Sequence, residues 1–314
     1  TLGTLENWYL DLDEVKELDS YPRIRVLISH TVRILGEKTK VSDLTIAKVR
    51  AYRKTRAAEY CIPYPDRHPT LTTINREVSA LKTMLNKAVG EILDNNPIIH
   101  AKLLKENNIR ERVLTEDEFE RLYDCAPDHL KPILLMAFYE PMRKGEILKL
   151  EWSEVDCSKS MWFIRLAAYR TKGKKSAKVL PFHPRVQQAI TSLPSRNQGG
   201  RVFLYEGKPV NSVKTSFKSA LRRAGIVDFH FHDFRRCAVT NLRKAGNDYT
   251  TIMKISGHKT MSMFQRYNLV NEEDVAGLKW KGLDNEGHSI SSSLENMGLN
   301  PDEVFKSLLQ ERRA

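Results

Sequence analysis

Apolar positions recur at helical spacing along most of this chain. Over residues 42–60, SDLTIAKVRAYRKTRAAEY, Leu44, Val49 and Tyr52 form a stripe, and Ser42 or Asp43 is placed to cap, which predicts a helix. CIPYPDRHPT follows as a loop, because its three prolines remove N–H donors and clash with helical backbone. A second helix is expected from Thr72 or Thr73 to about Glu91, with Ile74, Val78, Leu81, Met84, Leu85 and Ala88 on one face. Its other face carries Arg76, Lys82 and Lys87. The first 40 residues have room for a further helix or two.

DNNPI closes this helical unit, and residues 97–113 read as a linker. Thr115-Glu-Asp-Glu118 is a capping box, so a helix starts near residue 116. HLKPILLMAFYE is apolar on all sides and reads as a buried helix, with RKGEILKLEW after Pro141-Met142. MWFIRLAAYRTKGKKSAKVLPF predicts two strands joined by a basic turn around Lys172-Gly173-Lys174. PRVQQAITSL, SVKTSFKSALRRAG, HDFRRCAVTNLRKAG and DYTTIMKISG are amphipathic helices, some stopping at glycine. A Ser-rich stretch then precedes a short C-terminal helix with Val304, Phe305, Leu308 and Leu309 on one side. The pattern gives a mainly α chain with a small antiparallel β-sheet, and 314 residues suit two domains.

Charge narrows the partners. The net charge is +12 and the pI about 9.4, which points to a polyanion, nucleic acid before acidic membrane. The excess is concentrated: residues 113–283 carry 29 Lys and Arg against 18 Asp and Glu, whereas residues 284–314 carry 3 against 6. No apolar run approaches the ~18 residues of a membrane span. The N-terminus has no signal-peptide pattern, and Thr1 is not Met, which leaves room for residues upstream. Cys61, Cys125, Cys157 and Cys237 are too scattered for a zinc site or a disulfide framework, so a reducing, cytoplasmic compartment is expected.

The basic middle segment also holds the candidate chemistry: Arg143-Lys-Gly-Glu146, Lys172 in the basic turn, His232-Asp-Phe-Arg235, Gly257-His258 and, nine residues on, Tyr267. The three-residue spacing predicts His232 and Arg235 on one helix face. Displacement at a phosphodiester without metal builds negative charge on the non-bridging oxygens. Two guanidiniums can hold that charge with planar, bidentate donors. A tyrosine phenol can attack if a neighbouring base or cation assists, and a lysine or histidine can protonate the leaving oxygen. Nothing resembles a carboxylate cluster for Mg²⁺ or a Walker loop. Taken singly, each residue has a plainer role: packing for Tyr267, capping for His232, pairing with Glu146 for Arg143, a solvated turn for the lysines. Their joint order carries the argument.

In that order these residues resemble the tyrosine site-specific recombinases of the phage integrase family. The family pattern is an Arg, a hairpin Lys, His-x-x-Arg, a later His or Trp, and a Tyr about nine residues beyond. TINREVSALKTMLNKA is similar to the family's core-binding helix, and the likeness spans roughly residues 1–283. It implies a two-domain DNA clamp. Residues 1–108 would form a helical, SAM-like core-DNA-binding domain, 109–283 the catalytic domain, and 284–314 a tail able to dock on a neighbouring protomer.

The resemblance also implies roles. Arg143 and Arg235 clamp the scissile phosphate, and Lys172 protonates the leaving 5′-hydroxyl, with Lys174 as the alternative in a hairpin about one residue longer than usual. His232 assists proton transfer, His258 bonds a non-bridging oxygen, and Tyr267 becomes a 3′-phosphotyrosine. Glu146 would orient the site as the acidic residue common at that position. Arg76 and Lys82 would contact the DNA backbone.

The implied enzyme cleaves and rejoins DNA through a Holliday junction, with no cofactor, metal or ATP. It would integrate or excise a mobile element such as a prophage or genomic island. Its partners would be duplex DNA with inverted core-type sites, three further copies in a homotetramer, and accessory directionality or DNA-bending proteins, with no membrane. Location would be the cytoplasm and nucleoid of a bacterial or phage system. Two alternatives remain: a type IB topoisomerase-like enzyme without site preference, and a DNA-binding protein with a decayed site. The chain departs from the family pattern at Glu140-Pro141, where Thr-Gly is usual, at Arg236 and Cys237, and at Ser256, where Leu is frequent.

Overall fold

The computed structural model describes residues 1–61, 66–106, 110–170 and 177–265. The expectations for Lys172, Lys174, Tyr267 and the tail at 284–314 therefore lie outside the described residues. The chain divides into two compact units, Thr1–Asn108 and Ile109–Ala314.

The first unit contains α1 (Leu2–Asp11), α2 (Asp13–Lys16), α3 (Tyr21–Leu35), α4 (Ile46–Ala58) and α5 (Leu71–Ala88). The apolar face expected for the second helix is the buried face of α5, packed on α1, α3 and α4 with Tyr52, Ile28 and Leu2. Its start and end differ from expectation. Thr70 rather than Thr72 or Thr73 caps α5, accepting from Thr73 N–H. The helix stops at Ala88 because Val89 turns extended and Gly90, at φ +87°, closes a turn with its N–H on Leu93 O. The helix expected from residue 42 also starts late. Residues Val41–Asp43 form a separate 3-10 turn, buried Leu44 is extended, and Thr45 caps α4.

A polar cluster lies inside this unit. Glu77 is 1% exposed, accepts from Tyr52 Oη at 2.6 Å, and pairs with the Arg56 guanidinium at 3.0 Å. The outer side of α5 fastens the segment that leaves the unit. Asn75 bonds both N–H and C=O of Leu104, Thr72 and Asn75 donate to Glu106, and Lys82 donates to Ile99 O and Ala101 O.

The second unit holds α6 (Glu116–Asp124), α7 (Lys131–Tyr139), α8 (Lys144–Leu148), β1 (Val155–Asp156), β2 (Phe163–Leu166), β3 (Lys178–Pro181), α9 (Pro184–Thr191), β4 (Leu204–Tyr205), β5 (Lys208–Pro209), α10 (Lys214–Arg223), α11 (Phe234–Lys244), α12 (Tyr249–Ser256) and α13 (Met261–Gln265). The capping box opens α6 as expected: Thr115 Oγ1 accepts from Glu118 N–H, and Glu118 accepts from Thr115 N–H. α7 is buried almost throughout, between α9 and α11. The two expected strands pair antiparallel, Phe163 opposite Pro181 and Leu166 opposite Lys178, with β1 added on the far side of β2. β4 and β5 form a small hairpin not anticipated from the sequence. Its turn, Glu206-Gly207, takes φ of +51° and +74°, the left-handed pair that a two-residue hairpin needs.

One aromatic group anchors the start of α11. Phe119 and Phe138 stack at 3.9 Å, and Phe234 stands edge-on to both. Phe234 is the first residue of α11, so packing in the core fixes the start of that helix, next to Arg235 in its first turn and to His232 just before it.

Candidate active site

Arg143 is the N-cap residue of α8, a helix of five residues. Glu146, in the first turn, holds it twice: one carboxylate oxygen accepts from Arg143 N–H and the other from Arg143 Nη1, both at 2.9 Å. The carboxylate thereby satisfies the N–H at the start of the helix, as the acidic residue of a capping box does. It also fixes a guanidinium that stays partly exposed, at 25%.

Arg235 comes from the first turn of α11 and is 2% exposed. Nη1 donates to Pro141 O at 2.8 Å and Nη2 to Ser256 O at 2.5 Å. One guanidinium thus ties the segment leading to Arg143 to the end of α12. His258 follows one residue after α12, where Gly257 at φ +74° makes the left-handed turn that stops the helix. Its Nε2 is 3.4 Å from Arg235 Nη2, and its Nδ1 is 2.7 Å from Ser256 Oγ. Guanidinium only donates, so Nε2 accepts there. Ser256 Oγ–H donates to Met253 O, so the ring proton sits on Nδ1. Burial, then the charges of Arg235, Arg143, Lys178 and His232, push the His258 pKa down to about 3, which keeps the ring neutral in the free protein.

His232 lies near the same charges. Burial and then Arg235 lower its pKa. His232 precedes α11 rather than opening it, which differs from the expected helix start. Residues Phe231–Asp233 form a 3-10 turn before α11, because Asp233 accepts from His230 N–H and sets up its own cap. Asp233 is further held by Arg110, whose Nε donates to both carboxylate oxygens at 3.2 Å and whose Nη2 donates to Asp228 O.

The sequence did not single out Lys178. It begins β3 with its side chain 3% exposed, and its ammonium lies 3.0 and 3.1 Å from the two Glu146 oxygens. Burial lowers its pKa against the opposing pull of Glu146. Burial alone would raise the Glu146 pKa, but Lys178 and Arg143 more than offset this and hold it below the usual carboxylate range. A signal was present: Lys178 and Leu180 alternate with Val179 and Pro181, and the first pair faces inward.

The described residues thus bring Arg143, Glu146, His232, Arg235 and His258 together, all within the second unit. Arg76 and Lys82 belong to the first unit. Arg76 is exposed, whereas Lys82 is engaged with backbone carbonyls, an internal role that its helix position did not suggest. Among the described residues, no group of three or more His, Cys, Asp or Glu side chains is placed to hold a metal.

A mainly helical unit with a small antiparallel sheet, presenting an Arg, a His-x-x-Arg and a Gly-His from separate elements, has the features of the tyrosine site-specific recombinases. Residues 112–274 match the phage integrase family, and the chain belongs to that family. Among curated proteins it is 30% identical to the shufflon-specific DNA recombinase of Escherichia coli, over 72% of this chain and 58% of that protein. It is 29% identical to the integrase of Salmonella phage P22, over 60% and 52%. The chain therefore spans little more than half the length of these relatives.

Among solved structures, a lambda integrase dimer bound to a COC′ core site superposes with a TM-score of 0.69 at 17% identity, covering 91% of this chain and 81% of that one. The Tn1549 transposon integrase in complex with transposon right end DNA gives 0.64 at 15%, covering 88% and 97%. These last two likenesses concern the fold.

Proposed function

We propose that this chain is a site-specific DNA recombinase that cuts and rejoins strands through a 3′-phosphotyrosyl bond at Tyr267. The observation that carries the reading is the convergence of Arg143, Arg235 and His258, each oriented by buried bonds. A phosphodiester entering there meets donors already in place, so little reorganisation is needed as charge builds on its oxygens. Arg143 and Arg235 clamp the non-bridging oxygens. His258 gains a proton on Nε2 when the phosphate anion arrives and donates to one of those oxygens. His232 assists transfer of the tyrosine proton.

Tyr267 attacks phosphorus as the bond to the 5′-oxygen breaks, and Lys172, or Lys174, protonates that oxygen. The phosphodiester energy stays in the covalent link, so a 5′-hydroxyl of a partner strand reverses the step without ATP or metal. Residues 1–108 serve as the core-DNA-binding domain, with exposed Arg76 as a backbone contact. Lys82 can reach DNA only with donor capacity left over from its carbonyl bonds. Residues 109–283 are the catalytic domain. Exchange runs through a Holliday junction in a homotetramer on inverted core-type sites, with the 284–314 tail docking between protomers. The outcome is integration or excision of a mobile element, helped by directionality or DNA-bending proteins in a bacterial cytoplasm.

The test uses nicked duplexes with a randomised core. After incubation and denaturation, wild-type protein should carry covalently linked DNA, and Tyr267→Phe should carry none. A wild-type protein that never acquires DNA, or an adduct that survives Tyr267→Phe, would sink the reading. Recovering the linked duplexes also separates a recombinase, which enriches a defined site, from a type IB topoisomerase, which does not.

A further inference from the structure

We propose that Lys178 is a positioning residue of this site: an internal cation that keeps Glu146 ionised, so that Glu146 in turn holds Arg143 for the phosphate. The inference rests on the reading of Arg143 as a phosphate clamp.

The geometry has three parts. Lys178 Nζ bridges both oxygens of Glu146 at 3.0 and 3.1 Å. Those same oxygens bind the N–H and the guanidinium of Arg143. The Lys178 side chain then passes against the end of α12: a Cβ placed on Gly257 would lie 2.7 Å from its Cε and 3.3 Å from its Nζ. Lys178 thus joins β3, the start of α8 and the turn that carries His258.

The charged and titratable groups around this pair explain why a cation is needed. Glu146 and Arg143 face it from α8, Arg235 from α11 and His258 from the end of α12, with His232 next to Arg235. Glu146 is 5% exposed, and a carboxyl so buried tends to keep its proton. Arg143 alone, a quarter exposed, shares its charge with solvent. A protonated Glu146 has one oxygen fewer to accept with, so either the Arg143 N–H or its guanidinium would be released. Lys178 opposes that protonation from the dry side. Its side chain is 3% exposed and its ammonium bonds both Glu146 oxygens, so it acts through Glu146 rather than on the phosphate.

Two measurements on the full chain test this. In the free protein, the Glu146 side-chain carboxyl carbon is followed by NMR through a pH titration. Lys178→Met should raise its pKa by about one unit or more. An unchanged titration overturns the proposal whether or not DNA is cut.

The second uses the nicked duplex recovered from the randomised pool. Lys178→Met should slow adduct formation at pH 7 by roughly 10- to 100-fold and move the acid limb of the rate–pH profile upward. Adding Glu146→Gln should remove that limb and hold the rate at every pH near the acid plateau of Lys178→Met, because an amide, like a protonated carboxyl, has one accepting oxygen to offer Arg143. A loss equal at every pH, or a double variant that keeps the acid limb, overturns the proposal. If Lys178→Met does not fold, as judged by circular dichroism, the comparison falls to Glu146→Gln and the double variant. A double variant at least as fast supports the role, and a slower one overturns it. Failure of wild-type protein to form any adduct would count against the clamp reading instead, and the NMR titration still decides the role of Lys178.

Discussion

At Glu140 the chain has placed a carboxyl where almost no water reaches. It is 4% exposed, and His183 N–H donates to it at 2.7 Å. Burial pushes its pKa up to about 8, so the side chain is neutral in the folded state near pH 7. An unfolded Glu titrates near 4.3, so folding holds a proton that the unfolded chain releases. The resulting stability is complete below about pH 4 and is lost as pH rises through 8. Glu140→Gln imitates the protonated form and should remove that slope. Relative to wild type, its melting temperature should gain more at pH 9 than at pH 5, by an equivalent of roughly 2–5 kcal/mol. Equal differences at both pH values would show that Glu140 is ionised when folded. The residue was visible in the sequence only as a departure from the family's Thr-Gly; its burial depends on α7 and on the segment before α9, which no local pattern reveals. Ser256 is similar. Its hydroxyl sets the His258 tautomer and its carbonyl holds Arg235, yet in the sequence it is only a serine where leucine is frequent.

Elements were most legible where local chemistry decides them. Glu118 and Thr115 specify the start of α6 by themselves, and Gly257 specifies the end of α12. Ser42 and Asp43 are equally good capping residues, but Leu44 must be buried, and the chain reaches that position extended before α4 begins. The His-x-x-Arg spacing likewise suits a single helix and does not show that Asp233 ends a separate 3-10 turn containing His232. The β4–β5 hairpin leaves no alternating pattern in the sequence because its strands are two residues each. Gly257 illustrates how strongly one element can depend on another. Any other residue there meets both the positive φ and Lys178 Cε. Gly257→Ala should therefore cost more than the ~1 kcal/mol typical of a left-handed position. Thermal unfolding checks this, and Lys178→Ala in the same chain should recover the steric part but not the part due to φ. A variant melting with wild type would mean that the turn can shift.

For the whole molecule, the ordered set of motifs led to the family, and charge indicated which unit carries the main basic surface. Neither could show that α5 fastens the segment leaving the first unit, since Asn75, Thr72 and Lys82 look like ordinary solvated positions on a helix. The entry to the second unit is fastened in the same manner, by Arg110 on Asp233 and Asp228, and this bears on where the chain can be divided. The family match starts at residue 112, two positions after Arg110. A fragment cut to that match would leave the Asp233 carboxylate, 6% exposed, without its guanidinium, at the doorstep of His232. A fragment starting at Ile109 should melt higher than one starting at Arg112 and bind DNA more tightly; identical behaviour would show that His230 N–H alone suffices. The working boundary of the catalytic unit is thus drawn by an ion pair, two residues outside the stretch that sequence kinship marks.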